Sequence, residues 1–189
     1  MTVLVAYGSR MGGTEGIARA IAEALAQAGN SVDVRPAEAV EDLDDWEAAV
    51  IGSGLYAFRW TRPARRLVRR HADELRQMPV WFFSSGPLDD SASHGELPPT
   101  AAVRRLMELA GTGRHRTFGG RLPADAPGFV AQAMVKRGIA GDHRDLAAAR
   151  AWGGDIAAEL AALPPRPAAG RTHHRPWFTR LAAAFGAHA

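Results

Sequence analysis

Three short apolar segments, each followed by a loop rich in glycine and hydroxyl residues, constrain the fold of this chain most strongly. They span residues 3–6, 48–52 and 80–83. Apolar runs of this length are typical of strands that are buried on both faces of a sheet. Between them, apolar residues recur at helical spacing, as in Ile17, Ile21 and Leu25. Strands and helices therefore alternate along the chain.

Two weaker segments complete the strand pattern. Residues 31–35 alternate between polar and apolar types before Pro36, which predicts a strand near a sheet edge. Residues 117–122 contain the pair Gly119 and Gly120, which suggests a bulge or a close approach of the backbone to another segment. Five strands that alternate with helices predict an α/β fold, with a parallel sheet and helices on both faces.

Helix signals place the remaining elements. We expect a helix after Thr61, which would cap it, with Leu67 and Val68 on its buried face and arginines opposite. Further helices are predicted over residues 100–110, over 127–137 as an insertion, and from Asp142 or Asp145 to residue 163. The proline-rich stretch that follows ends the pattern. We therefore predict one domain over residues 1–163 and a basic, flexible tail over 164–189.

Composition excludes several kinds of chemistry. The chain has no cysteine, so disulfides, thiolate catalysis and iron–sulfur clusters are ruled out. His173 and His174 lack accompanying carboxylates, and no metal site is predicted. The sequence pI is about 10.1, which favours an anionic partner. The start of the chain lacks the features of a signal peptide, so we expect a cytoplasmic protein.

The loop after the first strand has the properties of a phosphate site. It consists of Ser9, Arg10, Met11, Gly12, Gly13 and Thr14. Backbone N–H groups, hydroxyls and a helix N-terminus converge in such a loop. The glycine–lysine pattern of nucleoside triphosphatases and the glycine spacing of dinucleotide sites are both absent. An ordinary strand–helix turn is the alternative, but two further small-residue loops emerge at the same sheet edge and favour a cofactor with a flat ring.

These residues carry a resemblance to a known family. The order hydroxyl residue, two variable positions, glycine, variable position, threonine over residues 9–14 resembles the phosphate loop of flavodoxins. More narrowly, residues 51–56, Trp60, residues 80–85 and the segments 134–136 and 141–142 resemble the flavodoxin-like protoporphyrinogen dehydrogenases of bacteria. The resemblance covers about residues 2–163. It implies a flavodoxin-like three-layer sandwich whose five-stranded parallel sheet has the order 2-1-3-4-5, and it implies FMN as the cofactor.

The resemblance also implies roles for individual residues. The hydroxyls of Ser9 and Thr14 and the backbone of residues 10–14 would bind the FMN phosphate. One face of the flavin would meet the second loop, and the other face the third. The second loop contributes Ser53, Gly54, Leu55 and Tyr56, and the third contributes Ser84, Ser85 and Gly86. Tyr56 is the first choice for stacking on the flavin and Trp60 the second.

A basic helix face lies beside this site, and its arginines are either a solvated surface or a functional one. Arginines dominate residues 59–70, whereas electron-carrying flavodoxins are usually acidic around the flavin. We therefore expect an FMN-dependent oxidoreductase that passes electrons from a porphyrinogen-like substrate to a quinone or a redox protein. Speculative substrate anchors are Arg59, Trp60, Arg62 and Arg121, and no catalytic residue is assigned.

Two alternatives stay open, a flavodoxin-type electron-transfer protein and a non-catalytic basic binding module. Nucleic acid is not expected as a partner, because aromatic and basic residues do not interleave on a sheet face. The tail carries Trp177 and Phe178 beside basic residues, which would allow a peripheral contact with the inner face of the cell membrane. The sequence leaves the oligomeric state open.

Overall fold

The structure is a computed structural model that describes residues 1–89, 92, 95 and 97–163. Its strands are β1 (Thr2–Gly8), β2 (Ser31–Pro36), β3 (Ala48–Tyr56), β4 (Arg59–Trp60), β5 (Val80–Ser85), β6 (His115–Phe118), β7 (Arg121–Leu122) and β8 (Gly141–Asp142). Its α-helices are α1 (Gly13–Gln27), α2 (Arg62–Arg70), α3 (Ala72–Leu75), α4 (Ala101–Ala110), α5 (Phe129–Lys136) and α6 (Leu146–Ala162). A short 3-10 turn spans Ala37–Ala39. The predicted tail over residues 164–189 lies outside the described residues.

The main sheet has five parallel strands in the order β2-β1-β3-β5-β6. This confirms the predicted order, because the short strand β4 only shifts the numbering. β4 folds back antiparallel on the end of β3, where Leu55 pairs with Trp60 and Tyr56 with Arg59. The half-exposed strand β2 forms one edge of the sheet, as its alternating sequence predicted.

Alternate residues of the central strands enter two separate cores, which makes the domain three layers deep. Leu4, Ile51 and Phe82 pack with α2, α3 and α4 on one face. Val5 and Phe83 pack with α1 and α6 on the other face. Central-strand residues on both faces are fully buried, which explains why these segments read as continuous apolar runs.

An insertion follows β6 and contains β7, α5 and β8. β7 and β8 form a two-stranded antiparallel sheet, and Leu122, Ala126 and Ala131 form a small core against Met11 and Leu88. The predicted strand over residues 117–122 is therefore split in two, because Gly119 and Gly120 leave the main sheet. A side chain at Gly119 would collide with the backbone of His143, which confirms the close approach that the glycine pair suggested.

The helix predicted after Thr61 is also divided, into α2 and α3, with His71 between them. Thr61 precedes α2 but does not cap it, because its Oγ1 lies 3.0 Å from Ser53 Oγ instead. Thr100 and Asp145, by contrast, accept hydrogen bonds from the first turns of α4 and α6. Within the described residues, no helix has both the length and the apolar character needed to cross a membrane.

Candidate cofactor site

A cavity of about 730 Å³ lies at the carboxyl ends of the central strands. All three loops that the sequence singled out contribute to its wall, as expected for a parallel sheet of this topology. From the predicted set, the residues that line the cavity are Ser9, Arg10, Met11, Gly13, Thr14, Gly54, Leu55, Tyr56, Ser85, Gly86 and Arg121. This volume lies within the range of protein sites for small molecules and cofactors.

The first loop leaves hydrogen-bonding groups without partners. Ser9 Oγ is buried and has no hydrogen-bond partner among the described residues. Gly12 adopts a left-handed φ of 72°, and α1 begins at the next residue with no side chain capping its N-terminus. A buried hydroxyl without a partner is costly, and the first N–H groups of a helix favour an anion. The donor set of this loop therefore fits a phosphate group.

Tyr56 lies against the phosphate loop from the second loop. A Cβ on Gly54 would lie 2.9 Å from Tyr56 Cε2 and 3.2 Å from Thr14 Oγ1, so this glycine allows the three residues to meet. The Arg10 guanidinium lies 4.7 Å from the centre of the Tyr56 ring. Burial raises the pKa of the Tyr56 hydroxyl above its ordinary value, although Arg10 opposes this effect. Tyr56 is therefore neutral at physiological pH.

Ser53 and Ser84 do not face the cavity, in contrast to the prediction. Ser53 is fully buried, and its Oγ accepts a 2.9 Å hydrogen bond from the backbone N–H of Thr61. Ser84 Oγ accepts a 2.9 Å hydrogen bond from Trp60 Nε1 and lies 3.0 Å from His115 Nε2. These serines sit one residue too early on their strands, so their side chains point to the core that contains α2.

Trp60 does not reach the cavity either. It is only 2% exposed, and its ring centre lies 4.8 Å from that of Phe82. A side chain in this position can neither stack on a flavin in the cavity nor contact a substrate there. The aromatic residue that does line the cavity from the second loop is Tyr56.

The insertion supplies the wall that sequence reasoning missed. Its cavity residues are Gly120, Leu122, Pro127, Gly128, Phe129, Ala131 and Met134, and the loops after β3 and β5 add Ala57 and Leu88. Phe129 is 88% exposed, an unusual position for a phenyl group. The glycine pair at residues 119–120 was the available signal, because it marks where the chain turns from the sheet towards the cavity.

Charged residues join the insertion to the phosphate loop. Arg121 Cβ would lie 3.2 Å from a Cβ on Gly13, and its Nε lies 3.9 Å from Asp142 Oδ2. Arg144 donates to both oxygens of Asp142 and to the carbonyl oxygen of Gly13. Arg144 holds the pKa of Asp142 below its usual range, so this carboxylate stays ionised. Of the predicted substrate anchors, Arg121 alone lines the cavity, whereas Arg62 lines a second cavity beside α2.

This geometry agrees with the results of comparison with known proteins. A model of the flavodoxin domain matches residues 4–145. The chain belongs to the flavodoxin domain family. The predicted cofactor, FMN, is the flavin that flavodoxin domains bind, and the phosphate loop, the Tyr56 loop and the third loop all lie within the matched region. No curated protein matches the chain in sequence.

Solved flavodoxins share the fold at low sequence identity. A flavodoxin from the domain Archaea is 19% identical with a TM-score of 0.57, over 85% of this chain and 99% of that chain. A cysteine-to-serine mutant of the flavodoxin from Pseudomonas aeruginosa is 19% identical with a TM-score of 0.58 over the same shares. Flavodoxin 1 from Bacillus cereus is 14% identical with a TM-score of 0.56, over 87% of this chain and all of that chain.

The comparisons support the flavodoxin part of the resemblance but not its narrower part. Neither the family match nor these structures points to protoporphyrinogen dehydrogenases.

Within the part of the chain that the structure describes, there is no group of three or more residues suited to hold a metal ion.

Proposed function

We propose that this flavodoxin domain binds FMN in the large cavity and works as an electron-transfer protein. The observation that carries this proposal is the buried Ser9 Oγ, which has no partner among the described residues, beside a helix N-terminus that no side chain caps. We assign the FMN phosphate to Ser9, Thr14 and the backbone N–H groups of the loop between them. Family membership supports the same assignment.

Tyr56 and the third loop are proposed to hold the flavin ring. Tyr56 offers a neutral ring at the cavity wall, while Ser85 and Gly86 offer a hydroxyl and a small residue from the neighbouring strand end. Bound FMN supplies the electron-accepting ring, and the protein contributes positioning, exclusion of water and local charge. Arg10 and Arg121 line the same cavity and add positive charge near the phosphate end.

An electron carrier fits the wall of the cavity better than an enzyme does. Among the described residues, the cavity is lined by the guanidinium groups of Arg10 and Arg121 and by the neutral Tyr56, and by no carboxylate, imidazole or amine side chain. Removal of a proton from a substrate carbon would require a base within hydrogen-bond reach. Transfer of electrons between proteins requires none.

A second candidate is oxidation of an apolar, anionic substrate such as a porphyrinogen, with a quinone as acceptor. It is favoured by the apolar side of the insertion, where Leu122, Phe129 and Met134 line the cavity next to the cationic Arg121. A large carboxylated ring could bind such a wall. A cytoplasmic location remains a prediction for either candidate.

Two measurements test these proposals. Titration of the protein with FMN, followed by quenching of flavin fluorescence, should give saturable binding that Ser9→Ala weakens. Absence of binding would refute both candidates. The FMN-loaded protein is then mixed without oxygen with protoporphyrinogen and menaquinone. Turnover would favour the enzyme, and exchange of electrons with redox proteins alone would favour the carrier.

A further inference from the structure

The arginines near α2 form a strongly basic surface. We call Arg59, Arg62, Arg66, Arg69 and Arg70 the arginine face. All five are exposed, and none is within ion-pair distance of a carboxylate among the described residues. Elsewhere on the protein, Arg19, Arg76, Arg114, Arg144 and Arg150 each have a carboxylate partner. Arg105 and Arg137 also lack a carboxylate partner among the described residues, so the distinguishing feature of this surface is the grouping of five such arginines within residues 59–70.

The spacing of these residues disfavours the helix that carries them. Arg62, Arg66 and Arg70 are four residues apart, so like charges are neighbours along one side of α2. Arg62 also lies in the first turn, where the helix dipole disfavours a cation. An acidic surface placed against α2 would relieve both effects.

A small cavity runs along the same side of α2. It has a volume of about 300 Å³ and lies between the 3-10 turn and α2. Arg62, Arg66 and Arg70 line it with Glu38, over apolar groups of Ala37, Val40, Pro63 and Leu67. An acidic side chain of a partner can enter this space and meet the three guanidinium groups.

An exposed phenyl group stands where the arginine face meets the FMN cavity. Phe58 is 80% exposed and has a φ of 61°, and its neighbour Ala57 has a φ of 48° and lines the FMN cavity. Two consecutive residues other than glycine in the left-handed region form a strained turn. Thr100 Oγ1 donates a 2.9 Å hydrogen bond to the carbonyl oxygen of Phe58 and helps to hold this turn.

We propose that the arginine face and Phe58 form the docking surface for a redox protein whose own docking surface is acidic. This inference rests on the proposed electron-transfer function. Arginine and aromatic residues are the types enriched at the energetic centres of protein interfaces. The surface adjoins the FMN cavity through Ala57, so a partner bound here lies beside the cofactor site.

A protein partner fits this surface better than a membrane does. A membrane-binding face combines basic residues with several apolar side chains that enter the lipid. Among the described residues, the large apolar side chains that are exposed are Phe58, Leu109 and Phe129, and only Phe58 is next to the arginine face in the chain. The cavity beside α2 also provides a pocket for an individual side chain, which a lipid surface does not need.

The test uses FMN-loaded protein and a plant-type [2Fe–2S] ferredoxin as an acidic probe. One electron leaves the reduced cluster and enters the bound flavin, and stopped-flow absorbance gives the second-order rate constant. The variant Arg62→Glu/Arg66→Glu should lower this rate constant tenfold or more at low salt. The matched control Arg105→Glu/Arg137→Glu makes the same change in net charge at exposed arginines outside the face, and it should change the rate constant less than twofold.

Four further results complete the test. The wild-type rate constant should fall as salt is added, whereas the rate of electron transfer to the basic protein cytochrome c should rise. Equal rate constants for the two double variants would overturn the docking surface while leaving FMN binding and chemical reduction intact. Failure to take up FMN would overturn the proposed function as well. Loss of binding to phosphatidylglycerol vesicles in Arg62→Glu/Arg66→Glu, with an unchanged ferredoxin rate, would replace the protein partner with a membrane.

Discussion

Acidification should destabilise this protein through one half-buried histidine, His115. Trp60 Nε1 donates to Ser84 Oγ, so the hydroxyl hydrogen of Ser84 is free to donate to His115 Nε2, 3.0 Å away. This arrangement requires Nε2 to be unprotonated. Nδ1 is buried without a partner among the described residues. Burial lowers the pKa of His115 from 6.5 to about 4, and the ring is neutral at pH 7.

The sign and the size of the effect follow from this pKa. The unfolded chain binds a proton on His115 as the pH falls through about 6.5, but the folded protein does not until about pH 4. The contribution of His115 to the free energy of unfolding is therefore fully present above about pH 7, and it is lost as the pH falls from about 6.5 to about 4. With about 1.4 kcal/mol for each factor of ten in proton affinity, the loss from pH 7.5 to pH 4.5 is roughly 2.5 kcal/mol.

The variant His115→Gln isolates this contribution. Its side-chain amide can still accept a hydrogen bond from Ser84 but does not titrate in this range. Urea unfolding at pH 7.5 and 4.5 gives the free energy of unfolding for both proteins. The wild type should lose roughly 2.5 kcal/mol more than His115→Gln over this interval. Parallel losses in the two proteins would show that the fold does not hold His115 in its neutral form.

Three other substitutions, two of them with a matched control, test the site and the packing. Ser9→Ala should raise the Kd for FMN about 10- to 100-fold in a fluorescence titration. The reason is the loss of a hydrogen bond to a charged group, which is worth about 1.5–3 kcal/mol. The control Ser31→Ala, on an edge strand, should leave the Kd unchanged. Gly153→Ala should lower the free energy of unfolding by about 1–3 kcal/mol, because its Cβ would lie 2.8 Å from the Ile21 carbonyl oxygen. At the neighbouring Gly154 an added Cβ would have no atom within 4 Å, so Gly154→Ala should stabilise α6 by about 0.5–1 kcal/mol. Equal effects of Gly153→Ala and Gly154→Ala would contradict the packing of α1 on α6. Phe58→Gly should raise the melting temperature by relieving the left-handed φ, yet slow electron transfer from ferredoxin.

The sheet was predictable because each of its central strands is apolar on both faces. The burial of residues such as Val5, Ile51 and Phe82 shows the physical reason, since helices cover both sides of the sheet. Strand order then came from the flavodoxin resemblance. The start of β6 was missed because His115 and Arg116 are polar, although His115 is half-buried and contacts Ser84.

The position of the site was predictable, because the ends of the strands and the loops determine it. The individual side chains that line it were less predictable, because their direction also matters. The residues of the phosphate loop lie together as their spacing indicated. Ser53 and Ser84 were assigned to the wrong side, because a strand residue one position earlier points to the opposite face of the sheet. Trp60 was misassigned because its ring packs on Phe82 in the core. The contribution of Phe129 and Met134 depends on how the insertion folds back, which no local pattern specifies.

The insertion joins the rest of the domain at a single place, and this affects how the cavity wall can change in proteins with this sheet. Residues 121–142 leave and re-enter the domain at one place, where the His143 N–H donates a 2.9 Å hydrogen bond to the Gly120 carbonyl oxygen. Arg121 pairs with Asp142 directly beyond that point. A segment joined through so narrow a base can be shortened, lengthened or exchanged without altering the register of any central strand. The part of the wall that meets an incoming molecule can thus change while the phosphate loop stays fixed.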